Sequence, residues 1–290
     1  MRVARTILIR LLRVVSLVLL AALGTIVLMR VAPGYFTDSR EMDGQYASAG
    51  RAAVQERQAE EGTLAASLAV SVRGWSHGSL GQSRQYDVPV TQLLRERAAA
   101  SSKLLLGGVA AGWLLSLALT LLLSARRTRA GEPLIALSTA VLLALPVGAL
   151  ATFCLLSEFG GPMFVLALLI AVRDFKLLYR MLRQALRAPQ VLYARAQGFS
   201  YARILRVHLL RTLGAELLSL AMMSFAVALS ALVPVEVIFD VPGLGQLAWN
   251  AAMNRDLPVL VAVTLVMAAC VGVASLFAEA GVTQETAQCA

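Results

Sequence analysis

Blocks of apolar residues alternate with polar or basic segments along the whole chain. The six blocks are Val14–Met29, Leu104–Ser124, Pro133–Leu156, Met163–Val172, Leu213–Val233 and Pro258–Ala278. An α-helix rises about 1.5 Å per residue, so about 20 apolar residues cross the roughly 30 Å hydrocarbon core of a bilayer. Four of the blocks reach that length. The pattern therefore predicts an all-α polytopic membrane protein with six transmembrane helices.

Two of the blocks, Val14–Met29 and Met163–Val172, are shorter than a typical membrane span. Val14–Met29 follows four arginines, and the first small-x-small sequence, Ala47–Ala49, lies well beyond it, which indicates an uncleaved signal anchor. Met163–Val172 ends at the charged sequence Arg173-Asp174-Phe175-Lys176. To span a membrane, that helix must continue to Leu182 with its charged residues turned away from lipid.

The distribution of charge predicts which segments face the cytoplasm. The chain is 58% hydrophobic and 15% charged, with a formal net charge of +9. Basic residues cluster at 2–13, 126–129 and 173–211, whereas basic and acidic residues nearly balance at 30–103. Under the positive-inside rule, both termini are cytoplasmic and the balanced segment lies outside. Aromatic residues are not interleaved with one basic face, which excludes nucleic-acid binding, and the cysteines and histidines lack metal-site spacing.

These patterns divide the chain into four parts. We predict an N-terminal transmembrane helix at 1–30 and an extracytoplasmic loop region at 31–103. A core domain with five transmembrane helices follows at 104–280, and a cytoplasmic tail follows at 281–290. Within the core, residues 183–211 form the predicted cytoplasmic loop.

The most informative local sequence lies in that loop. Residues Tyr193–Ser200 and Arg203–Arg211 predict a basic, amphipathic helix–glycine–helix element. Gly198 permits a sharp change of direction at a helix end, and the small residues before it give the first helix a low-profile surface. Such an element can insert into a groove of a partner protein. An ordinary basic loop that obeys the positive-inside rule is the alternative, and composition alone leaves it open.

The same loop resembles the coupling loop of binding-protein-dependent ABC permeases that serve dipeptides, oligopeptides and nickel. The family pattern is approximately Ala-Arg-Ala-Lys-Gly-Leu-Ser, followed by Arg-His-x-Leu-Arg-Asn. Gln197 replaces the usual lysine and Phe199 the usual leucine. The resemblance implies a type I ABC importer permease (MetI-like) fold. It also implies a set of residues that docks onto a cytosolic ATPase: Ala194, Arg195, Ala196, Gln197, Gly198, Phe199 and Ser200.

A second segment is similar to the family sequence before the last transmembrane helix. Phe-x-x-Pro-Gly-Leu-Gly is followed at the family separation by Asn-Arg-Asp-x-Pro. The proline and glycines predict a helix end with close backbone approach, and the last proline predicts a helix start. An ordinary interhelical turn is the alternative. The residues concerned are Phe239, Pro242, Gly243, Gly245, Asn254, Arg255, Asp256 and Pro258, with weaker matches at Gly78–Ser83 and Pro89-Val90.

The resemblance implies a function in transport. It implies an inner-membrane permease that forms a pore with a second permease, binds two ATP-binding subunits and an extracytoplasmic solute-binding protein, and imports peptides or a related small solute by alternating access. Gly107 and Gly112 have Walker A spacing, but Trp113 stands where the lysine is required. ATP and Mg²⁺ would therefore be bound by the partners, and this chain would be neither an enzyme nor a cofactor carrier.

Two other functions and the departure from the family pattern at Glu216 also follow from the sequence. A non-conducting membrane scaffold of an ABC complex is the alternative function. Gly74–Gly78 fits a hydrolase nucleophile elbow, but His77 is adjacent to Ser76 and cannot serve as its base. Glu216 stands where the family usually has proline. It is a candidate gating residue, or it extends to the membrane interface or pairs with Arg211.

Overall fold

The computed structural model of the chain describes residues 2–31, 73–74, 79–125, 139–140, 143–200, 203 and 210–288. These residues are helical or lie in turns, and apart from one isolated antiparallel bridge between Gln82 and Pro89 they contain no β-structure. The helices are α1 (Arg2–Val31), α2 (Val90–Ala125), α3 (Val147–Leu156), α4 (Pro162–Leu186), α5 (Pro189–Ala196), α6 (Leu210–Ile238), α7 (Leu244–Met253) and α8 (Leu257–Gln288). The all-α prediction is confirmed for this part of the chain.

Four helices are long and apolar enough to cross a membrane. The candidate spans are Leu8–Met29 in α1, Val90–Ser124 in α2, Leu213–Ile238 in α6 and Leu257–Glu279 in α8. Helix α4 has 25 residues, which is sufficient length, but it carries several charged residues. Helix α3 is a short apolar helix, and the predicted start of its block at Pro133 lies outside the described residues. The count of six transmembrane helices therefore stays a prediction.

Several helices extend beyond the apolar blocks that predicted them, and α2 and α8 are examples. Helix α2 begins at Val90 and not at Leu104, because residues such as Glu96, Arg97 and Ala98 favour a helix although they are too polar for a bilayer core. Helix α8 continues to Gln288, past the predicted end of its span at Ala278. Hydropathy marks the lipid-compatible part of a helix and not its hydrogen-bonded ends. The predicted division into four parts remains a prediction.

The described residues fall into two compact units. The first unit contains described residues from Met1–Ala99 and Pro242–Ala269. Its interior has two apolar clusters, one formed mainly by α7 and the adjacent parts of α2 and α8, and the other by α1 and α8. Their buried members include Val90, Leu93, Leu247, Ala251, Val259 and Val263 in the first cluster, and Ala22, Ile26, Leu257 and Val261 in the second.

The second unit contains described residues from Ala100–Val241 and Cys270–Ala290. Helices α4 and α6 pack against each other, and α3 packs against both. Glycines of α2 allow a close approach to α4: a Cβ atom at Gly108 would lie 2.7 Å from Cβ of Leu166, and one at Gly112 would lie 2.8 Å from the carbonyl oxygen of Ala167. Small residues at helix interfaces permit this close backbone contact inside membranes.

Candidate coupling site

Helix α5 lies between α4 and α6 in the second unit. It begins at Pro189, whose fixed φ and missing N–H suit the first position of a helix. Val191 and Ala194 are three residues apart, so they share a face and are both buried. They pack against Leu182 of α4 and Leu213 of α6. We call these four residues the coupling cluster, and it fixes α5 to the ends of two long helices.

Gly198 terminates α5 in a left-handed conformation. Its φ is +78°, and the amide of Phe199 donates to the carbonyl of Ala194 at 3.2 Å. This bond together with the left-handed residue defines a Schellman helix end, which satisfies a carbonyl that the helix itself leaves unpaired. Phe199 also packs against the coupling cluster that contains Ala194. Gly198 thus lies at a helix end, as the sequence predicts, whereas the change of direction into a second helix stays a prediction.

The opposite face of α5 carries exposed side chains. Leu192 is 55% exposed and Tyr193 is 68% exposed. Ala196, Gln197, Gly198 and Ser200 are exposed after them. The guanidinium of Arg203 lies 4.8 Å from the centre of the Phe199 ring, which is a cation–π arrangement. Of the predicted docking residues, Ala194 is buried and Phe199 is half-buried, so these two support the loop. The exposed residues Ala196, Gln197, Gly198 and Ser200 form part of its surface.

Part of the predicted loop lies outside the described residues. The backbone of Arg195 is helical, but its side chain lies outside the described residues, as do residues 201–202 and 204–209. The second amphipathic helix expected before Arg211 therefore stays a prediction. Glu216 is exposed in the second turn of α6. Its role in gating is also still a prediction.

The second signature segment forms a turn, the short helix α7 and the start of α8. Phe239 is half-buried after the end of α6, and Pro242 is exposed. Gly243 is the N-cap of α7 in an extended conformation, and Gly245 is buried in the first turn. Pro258 is the second residue of α8, as the sequence predicts for a helix start.

Asp256 is the central polar residue of that segment. It is 1% exposed, and its Oδ2 accepts hydrogen bonds from Ser83 Oγ at 2.5 Å, from Arg84 N at 3.1 Å and from Gln85 N at 3.2 Å. Its carbonyl accepts the first main-chain bond of α8, from Leu260. Asp256 therefore holds the turn at 83–85 against the start of α8.

Asn254 and Arg255 directly precede Asp256 in the sequence and form the end of α7. Asn254 is exposed, and its side chain donates to the carbonyl of Asn250 at 2.8 Å. Arg255 has a left-handed φ of +55°, and the amide of Asp256 donates to the carbonyl of Ala251 at 2.8 Å. This is a second Schellman helix end, with arginine in the position that usually holds glycine.

Two buried carboxylates of the second unit were not predicted as site residues. Asp174 of α4 is fully buried and accepts a hydrogen bond from Ser224 Oγ of α6 at 2.5 Å. Glu236 of α6 is fully buried and accepts one from Ser101 Oγ of α2 at 2.6 Å. The sequence signal for Asp174 is its position among charged residues directly after the apolar block Met163–Val172, where a membrane-spanning helix must continue.

These features define a class of protein: an all-helical integral membrane protein in which a short helix with an exposed face is packed between two longer helices. The family of binding-protein-dependent transport system inner membrane components matches residues 108–283, which is more than half of the chain. The chain belongs to this family. It is thus a permease component of ABC transport systems in the inner membrane.

Individual relatives cover different shares of the chain. The nickel import system permease protein NikB of Staphylococcus aureus is 22% identical over 279 residues, which are 90% of this chain and 84% of NikB. The metal-staphylopine import system permease protein CntB of S. aureus is 34% identical over 107 residues, 37% of this chain and 34% of CntB. The oligopeptide transport system permease protein AppB of Bacillus subtilis is 37% identical over 86 residues, 30% of this chain and 27% of AppB. The chain therefore matches only about a third of CntB and about a quarter of AppB.

Proposed function

We propose that this chain forms the translocation pore of an ATP-driven importer together with a second permease subunit. Two separate ATP-binding subunits bind ATP and Mg²⁺ and drive the pore by alternating access. A solute-binding protein delivers the substrate from outside the membrane. Both termini, and the helix α5 between α4 and α6, face the cytoplasm. The match to an inner-membrane component family supports the need for such partners.

The observation that carries this proposal is the construction of α5. One face is buried in the coupling cluster, and the other presents Leu192 and Tyr193. An exposed apolar side chain beside an aromatic one is suited to contact with a protein partner. Because α5 packs directly against Leu182 and Leu213, a displacement of α5 acts on α4 and α6 at once. An ATPase that binds the exposed face would thereby move two pore helices.

The substrate class rests on the relatives. The names of these relatives assign them to the import of nickel, to the import of metal-staphylopine and to oligopeptide transport. All are solutes that a binding protein can capture before transfer to a pore. We therefore assign a short peptide or a metal complex of similar size as the substrate. Uptake of such solutes by cells that express the complete transporter is the corresponding assay.

The test of the proposed coupling role uses the exposed face of α5. Leu192→Asp puts a charge at the proposed ATPase contact without entering the coupling cluster. We expect the ATP-binding subunits to be lost from the purified complex and solute uptake to fall by about tenfold or more, as expected for an interface contact worth at least 1.4 kcal/mol. Leu192→Met is the matched control, since it keeps an apolar side chain at the same place.

Two results would contradict the proposal. Unchanged association and uptake in Leu192→Asp would show that α5 is not the ATPase contact. Normal ATPase association without uptake by the unmodified complex, for any peptide or metal complex tested, would favour the non-conducting scaffold. The amount of chain in the membrane, measured in parallel, separates both results from poor expression.

A further inference from the structure

A buried polar contact joins the two helices that flank α5. Asp174 of α4 is fully buried, and Ser224 Oγ of α6 lies 2.5 Å from its Oδ2. Next to it, Arg173 Nη1 donates to the carbonyl of Met223 at 3.4 Å. Both contacts cross from α4 to α6, and both lie within the second unit. Ionisable side chains are rare inside membrane helices and usually have a function there, so Asp174 is a candidate functional residue.

The contact lies well away from the coupling cluster on the same pair of helices. At 1.5 Å per residue, Asp174 is about 12 Å along α4 from Leu182, and Ser224 is about 16 Å along α6 from Leu213. The two helices are therefore held at two separated places. A pair of helices held at one place can pivot there, whereas a pair held at two places moves as one body.

The two contacts differ in kind. The coupling cluster consists of apolar side chains, and between helices surrounded by lipid such contacts carry no hydrophobic preference for one register. A hydrogen bond between a carboxylate and a hydroxyl is directional, so it specifies one register of α4 relative to α6. Single buried polar contacts are known to fix the register of packed helices in this way.

A third helix borders the same carboxylate. Trp113 of α2 lies within hydrogen-bonding reach of Asp174. The guanidinium Nη1 of Arg173 lies 3.9 Å from Oδ1 of the same carboxylate. Polar groups of α2, α4 and α6 therefore border the side chain of Asp174.

We propose that Asp174 is a positioning residue whose hydrogen bond to Ser224 makes α4, α5 and α6 move as one body, so that ATP hydrolysis is converted into pore opening. The inference rests on the proposed function of the chain as a transporter subunit. Without the bond, α5 still binds the ATPase, but its displacement is absorbed by sliding of α4 along α6. Hydrolysis then continues while transport fails.

The experiment measures ATP hydrolysis and solute uptake in the same proteoliposomes containing the complete transporter. We expect Asp174→Leu to raise the ATP hydrolysed per solute about fivefold or more, which is the lower range of measured coupling between sites. Asp174→Asn keeps an acceptor of the same shape and is expected to keep most of the coupling. Ser224→Ala removes only the hydroxyl and is the second test if Asp174→Leu fails to assemble.

The matched control is Ser230→Ala, because Ser230 is an exposed serine of the same helix whose hydroxyl bonds within α6. Its ratio of hydrolysis to uptake should equal that of the unmodified complex. An unchanged ratio in both Asp174→Leu and Ser224→Ala, or an equal fall of both activities, would overturn the inference. Absence of ATP-driven uptake in the unmodified complex would instead refute the proposed function.

Discussion

Ser83 Oγ donates a hydrogen bond to Asp256 Oδ2, and the two residues are 173 positions apart in the sequence. Both are buried, with 2% of Ser83 and 1% of Asp256 exposed. The same serine Oγ accepts a bond from the amide of Tyr86, and the same carboxylate accepts bonds from Arg84 N and Gln85 N. One carboxylate at the start of α8 therefore organises a turn that precedes α2.

Removal of the Asp256 carboxylate should destabilise the first unit. Asp256→Ala leaves a buried hydroxyl and two main-chain amides without their acceptor, and we expect a loss of about 3 kcal/mol in the free energy of unfolding. Ser83→Ala should cost less, about 2 kcal/mol, since the two main-chain bonds remain. Thermal unfolding of the purified transporter in detergent measures both. Asn254→Ala, at an exposed neighbour, should change stability by no more than about 0.5 kcal/mol.

The glycines of α2 predict a graded series of stability changes. In Gly112→Ala the new Cβ would lie 2.8 Å from the carbonyl oxygen of Ala167, and a main-chain atom cannot move without shifting α4. We expect a cost of about 1–3 kcal/mol. In Gly107→Ala the nearest atoms belong to the flexible end of Met163, so the cost should be smaller.

Gly24→Ala is the control for this series, because nothing lies within 4 Å of its added Cβ. Alanine favours a helix over glycine, so we expect no loss, or a gain of up to about 1 kcal/mol. Thermal unfolding of the three variants ranks them. A loss in Gly24→Ala equal to that in Gly112→Ala would contradict close packing of α2 on α4.

Two left-handed residues should respond to substitution in opposite directions. Glu158, which follows α3, has a left-handed φ of +53°. Its side chain is exposed, so burial of that side chain does not offset the strain of this backbone conformation. Glycine adopts this conformation without strain, so Glu158→Gly should stabilise the protein by about 1 kcal/mol. Gly198→Ala should destabilise it by a similar amount, and not by collision, since nothing lies within 4 Å of the added Cβ. Shifts of the same sign in both variants would refute the assigned conformations.

The sequence was sufficient to predict features that depend on local chemistry or on lipid. Long apolar blocks predicted the helices that hold the four candidate spans, because a bilayer admits few polar side chains. Gly198 was identified as a helix end because few other residues tolerate a positive φ. Pro258 was correctly expected at the start of a helix for an equally local reason.

The contacts between distant residues were not predicted. Asp174 and Ser224 are 50 positions apart, and nothing in the pattern of either block indicates its partner. Ser83 and Asp256 both lie in segments that match the family, but sequence similarity does not state that one binds the other. The start of α2 at Val90 was not predicted, because hydropathy does not detect the polar part of a helix that extends beyond the bilayer.

Cross-linking from α5 tests the central claim most directly. In membranes that contain the complete transporter, Tyr193→Cys presents a thiol from the exposed face of α5, and the unmodified chain gives the background of the native cysteines. A short thiol cross-linker should join this variant to an ATP-binding subunit, whereas Trp249→Cys, at an exposed position of α7, should not react with that subunit. Cross-linking of the ATP-binding subunit to position 249 and not to position 193 would contradict the account.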